Sequence, residues 1–329
     1  EKMILDPSLI PTTESSSVGR AERLDEVLGR YIVHVKSCLN LDTELEGLRV
    51  VVDCANGAAY KVAPMILSEL GAEVFKLGVE PNGQNINLGV GSLFPHGTQE
   101  KVLKYKADIG ICLDGDADRI IIVDEKGRAL DGDLIIGVLA KYLMDQGKIS
   151  TGDEIVGTQM SNLGLQNYLE SMGLKFHRTN VGDRYIIERM RNVGSILGGE
   201  PSGHIIWGER SQTGDGILAA LKVIEAASYY GVSISQLVSG INLYPQVNKN
   251  VPILKKVDFN KNGPISSMLT KSEKKLGKKG RILLRYSGTE PLARVMVEGD
   301  DEGLVVDICD QLVKVISEEQ LAVEVNPGS

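Results

Sequence analysis

Apolar residues in this chain fall into short runs set between segments with helical spacing. LRVVVD (48–53) is a β-branched run closed by the turn CANG, which predicts a buried strand. Helical spacing follows over 58–70, and GAEVFKL predicts the next strand. A strand–helix–strand unit of this kind implies a parallel α/β sheet. The same pattern returns about a hundred residues later as EIVGT (154–158), the helical SNLGLQNYLESM and the strand GLKFHRT. Both helices stop at a glycine, Gly71 and Gly173, the usual residue just past a helix end.

KADIGICL (106–113) and RIIIVD (119–124) predict two more strands, and GDLIIGVLAKYLMDQG predicts a helix that closes the first α/β domain. A long helix is expected over 214–230. In LYPQVNKNVPILKK the pattern breaks: Pro245 and Pro252 interrupt it, and an amphipathic, lysine-rich stretch follows. RILLRYS and ARVMVEG predict strands and 301–317 a last helix, together a small α+β domain. Near the start, 19–39 has the spacing of an amphipathic helix, but too little precedes it to form a domain. The fold class is therefore α/β: two tandem mixed-sheet α/β domains plus a small C-terminal α+β domain. The expected division is 1–40 as a remnant and linking helix, 41–147, 148–244 and 245–329.

Composition narrows the setting. The 329 residues are 42% hydrophobic, enough for ordinary cores. A net charge of −8 argues against nucleic acid or an anionic membrane as partner of the whole surface. Cys38, Cys54, Cys112 and Cys309 form no C-x-x-C pair, as in reduced cytoplasmic proteins. No apolar run approaches the ~18 residues of a membrane span, and the first residues lack the architecture of a signal peptide. A cytoplasmic protein is expected.

Four polar stretches carry the candidate chemistry. In ICLDGDADRI, Asp114, Asp116 and Asp118 alternate between two apolar strands, with Arg119 next. Carboxylates so spaced in a turn can converge on one hard divalent cation, Mg2+ or Ca2+, and would repel one another without it. The alternative is a solvated acidic turn. An EF-hand fits at positions 1, 3, 5 and 12 (Glu125), but Arg119 stands where that loop needs glycine, and the flanks are strands rather than helices. In RYSGTEPLAR, Ser287, Gly288 and Thr289 offer hydroxyls and backbone N–H groups between Arg285 and Arg294, a set suited to a phosphate monoester; an ordinary polar turn is the alternative. GSILGGEPSGHIIW brings Glu200, Ser202 and His204 into one loop, where Glu200 and Ser202 could meet sugar hydroxyls and His204 an anion or a proton. It lacks the G-x-S-x-G of a serine hydrolase. In NVGDRYIIERM, Gly182 and Asp183 open a helix with Arg184 in its first turn.

Taken in order, these stretches resemble the phosphohexomutase superfamily, whose metal loop D-G-D-x-D-R, sugar loop G-E-x-S-G-H and phosphate loop R-x-S-G-T-E-P all stand here. VVDCANGAAY, PNGQNIN, GTQMSNLGL, VGDRY and TGDG are similar to its bacterial branch acting on glucosamine phosphates. The resemblance implies three of that family's four domains, around a cleft. It implies interconversion of glucosamine 6-phosphate and glucosamine 1-phosphate through a phosphoserine and a bisphosphate intermediate, toward UDP-N-acetylglucosamine and cell-wall precursors. Mg2+ would be held by Asp114, Asp116 and Asp118. Arg119 and His204 would be catalytic. Arg184, Glu200, Ser202, Arg285, Ser287, Gly288, Thr289 and Arg294 would bind the substrate, an amino-sugar phosphate. The family's serine loop, of the type S-A-S-H-N-P, does not occur here; SSS (15–17) lacks its histidine and asparagine. The resemblance therefore implies a fragment that is inactive alone and monomeric, where the full-length protein would be a homodimer. A phosphomannomutase or phosphoglucomutase, or a non-catalytic sugar-phosphate binding protein, are the alternatives.

Overall fold

The computed structural model describes residues 2–22, 24, 26–40, 45–287 and 290–325. Helices α1 (Lys2–Leu5) and α2 (Val27–Ser37) come first, the latter packed on the first α/β unit through Ile32 and Val35. That unit contains β1 (Arg49–Asp53), α3 (Val62–Glu69), β2 (Glu73–Leu77), α4 (His96–Tyr105), β3 (Ile109–Leu113), β4 (Ile120–Asp124) and β5 (Ala129–Leu130). The sheet order is β2-β1-β3-β4-β5, with β1 parallel to β2 and β3, and β4 antiparallel to β3. Alternation sorts its side chains onto two faces: Val50, Val52, Ile111 and Ile122 enter one core, while Val51, Cys112 and Val123 meet Val102 of α4 in another. With both faces covered, β3 is buried at all five positions, as its unbroken apolar run requires.

The second unit has α5 (Gly132–Asp145), β6 (Glu154–Thr158), α6 (Leu163–Ser171), β7 (Lys175–Thr179), α7 (Asp183–Val193), β8 (Leu197–Gly199), β9 (Ile205–Trp207), α8 (Gly216–Tyr230) and α9 (Ile234–Leu237). Its sheet order is β7-β6-β8-β9, parallel except for β8–β9. One expectation is corrected here. Helix α5 does not simply close the first unit. It packs on β8, α6 and α8 and also reaches β4, while α8 touches α5, β9, β4 and β3. Both helices are apolar around most of their circumference, so each is buried between the two sheets rather than lying on one of them. One continuous core results, running from Ile120 and Ile122 through Ile136, Leu139 and Leu218 to Leu197 and Ile205.

The C-terminal unit has β10 (Gln246–Pro252), α10 (Gly263–Leu276), β11 (Gly280–Tyr286), β12 (Leu292–Gly299) and α11 (Glu302–Val325), with the antiparallel order β10-β12-β11. Residues 246–252, where the sequence pattern breaks, form an edge strand paired with β12 from Gln246↔Glu298 to Pro252↔Leu292. Pro252 is tolerated because it ends that strand. Val251, Ala293, Val295 and Val297 pack on Ile265 of α10 and on Val305, Ile308 and Leu312 of α11, in a core separate from the large one. Among the described residues no helix is long and apolar enough to cross a membrane, and the four cysteines are free and buried.

Candidate active site

The three aspartates sit in the turn between β3 and β4. One carboxylate oxygen from each of Asp114, Asp116 and Asp118 lies within 4.8 Å of the others. Tight packing builds this turn. The Gly115 carbonyl accepts the Ala58 N–H at 2.8 Å, and a Cβ on Gly57 would stand 2.1 Å from the Gly115 oxygen. Ala117 takes the left-handed region (φ +64), a strained choice for alanine, and its carbonyl accepts the Gly216 N–H at 2.9 Å. Burial, and then the charges of Asp118 and Asp116, push the Asp114 carboxyl up to about 7. Asp118 Oδ1 is buried without a hydrogen-bond partner. Arg119 donates its backbone N–H to Asp114 Oδ1 (3.1 Å), and its Nε stands 4.0 Å from Asp114 Oδ2 and 3.9 Å from Asp118 Oδ1. Converging oxygens, an orphaned buried oxygen and a carboxyl loaded by its neighbours all fit a hard divalent cation.

The 200–204 loop lies against this turn, although it belongs to the other sheet. The Ile120 N–H donates to the Gly203 carbonyl at 3.0 Å, and the Gly132 N–H to the Pro201 carbonyl at 3.0 Å. Gly203 has φ +92, and a Cβ there would lie 1.9 Å from the Ile120 oxygen, so only glycine lets the loops meet. Glu200 Oε1 accepts the N–H of Gly182, the N-cap of α7, at 3.1 Å. Arg184, in the first turn of α7, lies 4.5 Å over the Tyr185 ring and donates to its hydroxyl at 2.9 Å. Ser202 is exposed at the loop.

His204 departs from expectation. It is 4% exposed, and both ring nitrogens are engaged. Nε2 lies 3.0 Å from the Gly214 nitrogen, which can only donate, so the ring proton sits on Nδ1 and is donated to Asp118 Oδ2 at 3.0 Å. A proton-transfer role toward substrate is therefore corrected to the positioning of Asp118. Gly214 permits this contact, since a Cβ there would meet the imidazole at 2.5 Å.

The fourth stretch lies on the C-terminal sheet. Arg285 and Arg294 face each other directly across β11 and β12. Like charges so placed are unfavourable; burial, then Arg294, lowers the pKa of Arg285. Arg294 Nη2 donates to Ser287 Oγ (3.4 Å) and Glu290 Oε2 (3.2 Å), while its Nε is buried without a partner. Ser287 is 3% exposed, and its hydroxyl accepts the Glu290 N–H at 3.3 Å. Gly288 and Thr289 lie outside the described residues. The arrangement suits an anion.

Sequence reasoning gave no role to Asp53 and Asp215. Asp53 is 1% exposed and accepts the Ala55 N–H (2.9 Å) and the Gly91 N–H (2.8 Å), which shapes the turn under Gly115. Asp215 caps α8 and accepts the Tyr31 hydroxyl at 2.9 Å. Only the VVDCANG and TGDG stretches hinted at them. A cavity of about 580 Å3, lined among others by Leu45, Asp108, Glu125 and Ser233, contains none of the site residues; it lies at the other end of β3 and β4.

Three family descriptions match in order: phosphoglucomutase/phosphomannomutase alpha/beta/alpha domain II over 29–127, domain III over 131–244, and the C-terminal domain over 246–315. The second match begins at the N-cap of α5, in keeping with how that helix packs. The chain thus belongs to the phosphoglucomutase/phosphomannomutase family, the phosphohexomutases. Its relatives at about half identity are phosphoglucosamine mutases. That of Nitratidesulfovibrio vulgaris is 49% identical over 317 residues, which is 95% of this chain and 70% of the relative. That of Sinorhizobium medicae is 50% identical over 299 residues, 91% of this chain and 66% of the relative. Solved structures share the fold. A phosphoglucomutase/phosphomannomutase family protein of Burkholderia thailandensis has a TM-score of 0.75 at 20% identity, covering 100% of this chain and 69% of that one. Aspergillus fumigatus N-acetylphosphoglucosamine mutase, in complex with GlcNAc-6P and magnesium, has a TM-score of 0.73 at 20% identity, covering 92% and 67%.

Proposed function

We propose that this chain carries the metal, sugar and phosphate sites of a phosphoglucosamine mutase, which interconverts glucosamine 6-phosphate and glucosamine 1-phosphate through a phosphoserine and a bisphosphate. The observation that carries this reading is the joining of the aspartate turn to the Glu200 loop through the Ile120–Gly203 hydrogen bond. That contact brings the three carboxylates and the polar groups of the Glu200 loop together although they come from different sheets, which supports one shared site for a cation and a sugar. Asp114, Asp116 and Asp118 would hold Mg2+, which neutralises charge on a phosphoryl group in transfer. Arg119 would lie beside that group, with Arg184 nearby at the N-terminus of α7. Glu200 and Ser202 would take sugar hydroxyls. Arg285, Ser287 and Arg294, with Gly288 and Thr289, would grip the phosphate that is not reacting. The working division is 1–40, 41–147, 148–244 and 245–329, with α5 shared between the middle two.

Residues 1–329 contain no S-H-N-P loop, so the nucleophile would come from a segment outside them. Glucosamine 6-phosphate with Mg2+ is expected to bind this chain, as a monomer by light scattering, without turnover in an assay coupled to glucosamine 1-phosphate. Turnover by this chain alone would place a nucleophile within these residues and overturn the mechanism. Preference for mannose or glucose phosphates would move the reading to a phosphomannomutase or phosphoglucomutase. Failure to bind any hexose phosphate would end it.

A further inference from the structure

Arg281 and Glu298 are register partners on β11 and β12, four residues along each strand from the Arg285–Arg294 pair. Val295 and Val297 point into the core of the C-terminal unit. Strand alternation therefore places Arg294 and Glu298 together on the opposite face, about 13 Å apart. One end of that face holds the arginine pair, and the other is anchored in the second α/β unit. Arg281 donates to Glu298, to the Gln159 carbonyl (2.8 Å) and to the Ser161 carbonyl (2.7 Å). Glu298 is fully buried and accepts the Leu163 N–H at the start of α6 (3.1 Å) and Gln246 Nε2 (3.0 Å). The chain of bonds continues beyond it. Asn162 donates its N–H to Asp133 Oδ2 at 2.7 Å, and Asp133 follows Gly132, which holds the Pro201 carbonyl of the Glu200 loop. Arg178 closes the junction by donating to the carbonyls of Thr158, Ser161 and Asn162.

Resting on the reading above, we propose that Arg281 and Glu298 are positioning residues that fix the span between the Glu200 loop and the Arg285–Arg294 pair. A hexose phosphate must reach both and depends on that span. Inorganic phosphate needs only the arginine pair and does not. A role confined to stability would not separate the two ligands.

The test is calorimetric titration of this chain with glucosamine 6-phosphate and, separately, with inorganic phosphate, for the wild type, Glu298→Gln and Arg281→Lys. Glu298→Gln keeps the shape and removes the charge. Arg281→Lys keeps the charge and loses the fork that spans two carbonyls. Each variant is expected to bind glucosamine 6-phosphate about tenfold more weakly, the value of a lost charged hydrogen bond, with phosphate affinity unchanged. Equal weakening of both ligands, or no change in either, would overturn the inference. A wild type that binds phosphate but gains nothing from the sugar would instead fail the functional reading beneath it. If Glu298→Gln does not fold, Arg281→Lys decides alone.

Discussion

Asp118 uses its two oxygens differently. Oδ2 accepts the hydrogen bond from His204 Nδ1–H, while Oδ1 is buried without a hydrogen-bond partner, 3.9 Å from Arg119 Nε. His204 is thus an orienting group, and such partners commonly contribute 10–100-fold to metal affinity. His204→Ala should weaken Mg2+ binding in about that range, while His204→Asn, whose amide can still donate to Asp118, should recover much of it; Mg2+ titration of both variants checks this. Asp114 adds a pH dependence. Its carboxyl is pushed up to about 7 by burial and its carboxylate neighbours, so protons compete with a cation below that pH. Mg2+ affinity should rise from pH 6 to pH 8 with release of a proton, seen as a dissociation enthalpy that varies with the ionisation enthalpy of the buffer. The residue types here were legible from D-G-D-x-D-R and G-E-P-S-G-H. The tautomer of His204 was not, because Gly214 and Asp118 are brought to it only by folding.

Helix α5 shows how an element can be legible while its surroundings are not. Its apolar spacing predicted the helix, and being apolar around most of its circumference was the sign that two layers would cover it. Burial carries a titratable group with it. Asp133 is 1% exposed, and its carboxyl is pushed up to about 8, chiefly by burial and then by Asp131. Glu298 also opposes its ionisation, while the Asn162 N–H and Arg178 favour it. A pKa raised on folding means the native state binds the proton more tightly. That stability is complete below the ordinary carboxylate range and is lost as pH rises toward 8. Asp133→Asn should flatten this part of the melting-temperature profile, and an unchanged slope between pH 5 and 8 would count against the assignment. β10 escaped sequence reading for a related reason: an edge strand with one covered face and a terminal proline has a weak pattern until β12 pairs with it.

At the scale of the molecule, cores and sequence units do not coincide. The two α/β units share one core through α5 and α8, while the C-terminal unit has its own. Scanning calorimetry should therefore resolve two cooperative transitions rather than three, with the smaller belonging to 246–325. Mg2+ should shift only the larger, because Asp114, Asp116 and Asp118 all lie there. A single transition, or a Mg2+ shift in both, would show that the Arg281–Glu298 junction couples the units strongly enough to unfold together.

By itself the sequence determined most strands and helices, the three-part order, and the polar stretches proposed to bind a cation, a sugar and a phosphate. Each of these depends on neighbours a few positions away, through alternation, helical spacing or turn chemistry. Tertiary structure alone decided that α5 and α8 lie between two sheets, that His204 serves Asp118, and that Arg285 opposes Arg294. It also decided that Glu298 ties the C-terminal sheet to α6. Those facts depend on contacts between residues far apart in the chain, such as Asp118 with His204 or Leu163 with Glu298. No local pattern specifies such pairs, because each forms only once separate elements have packed.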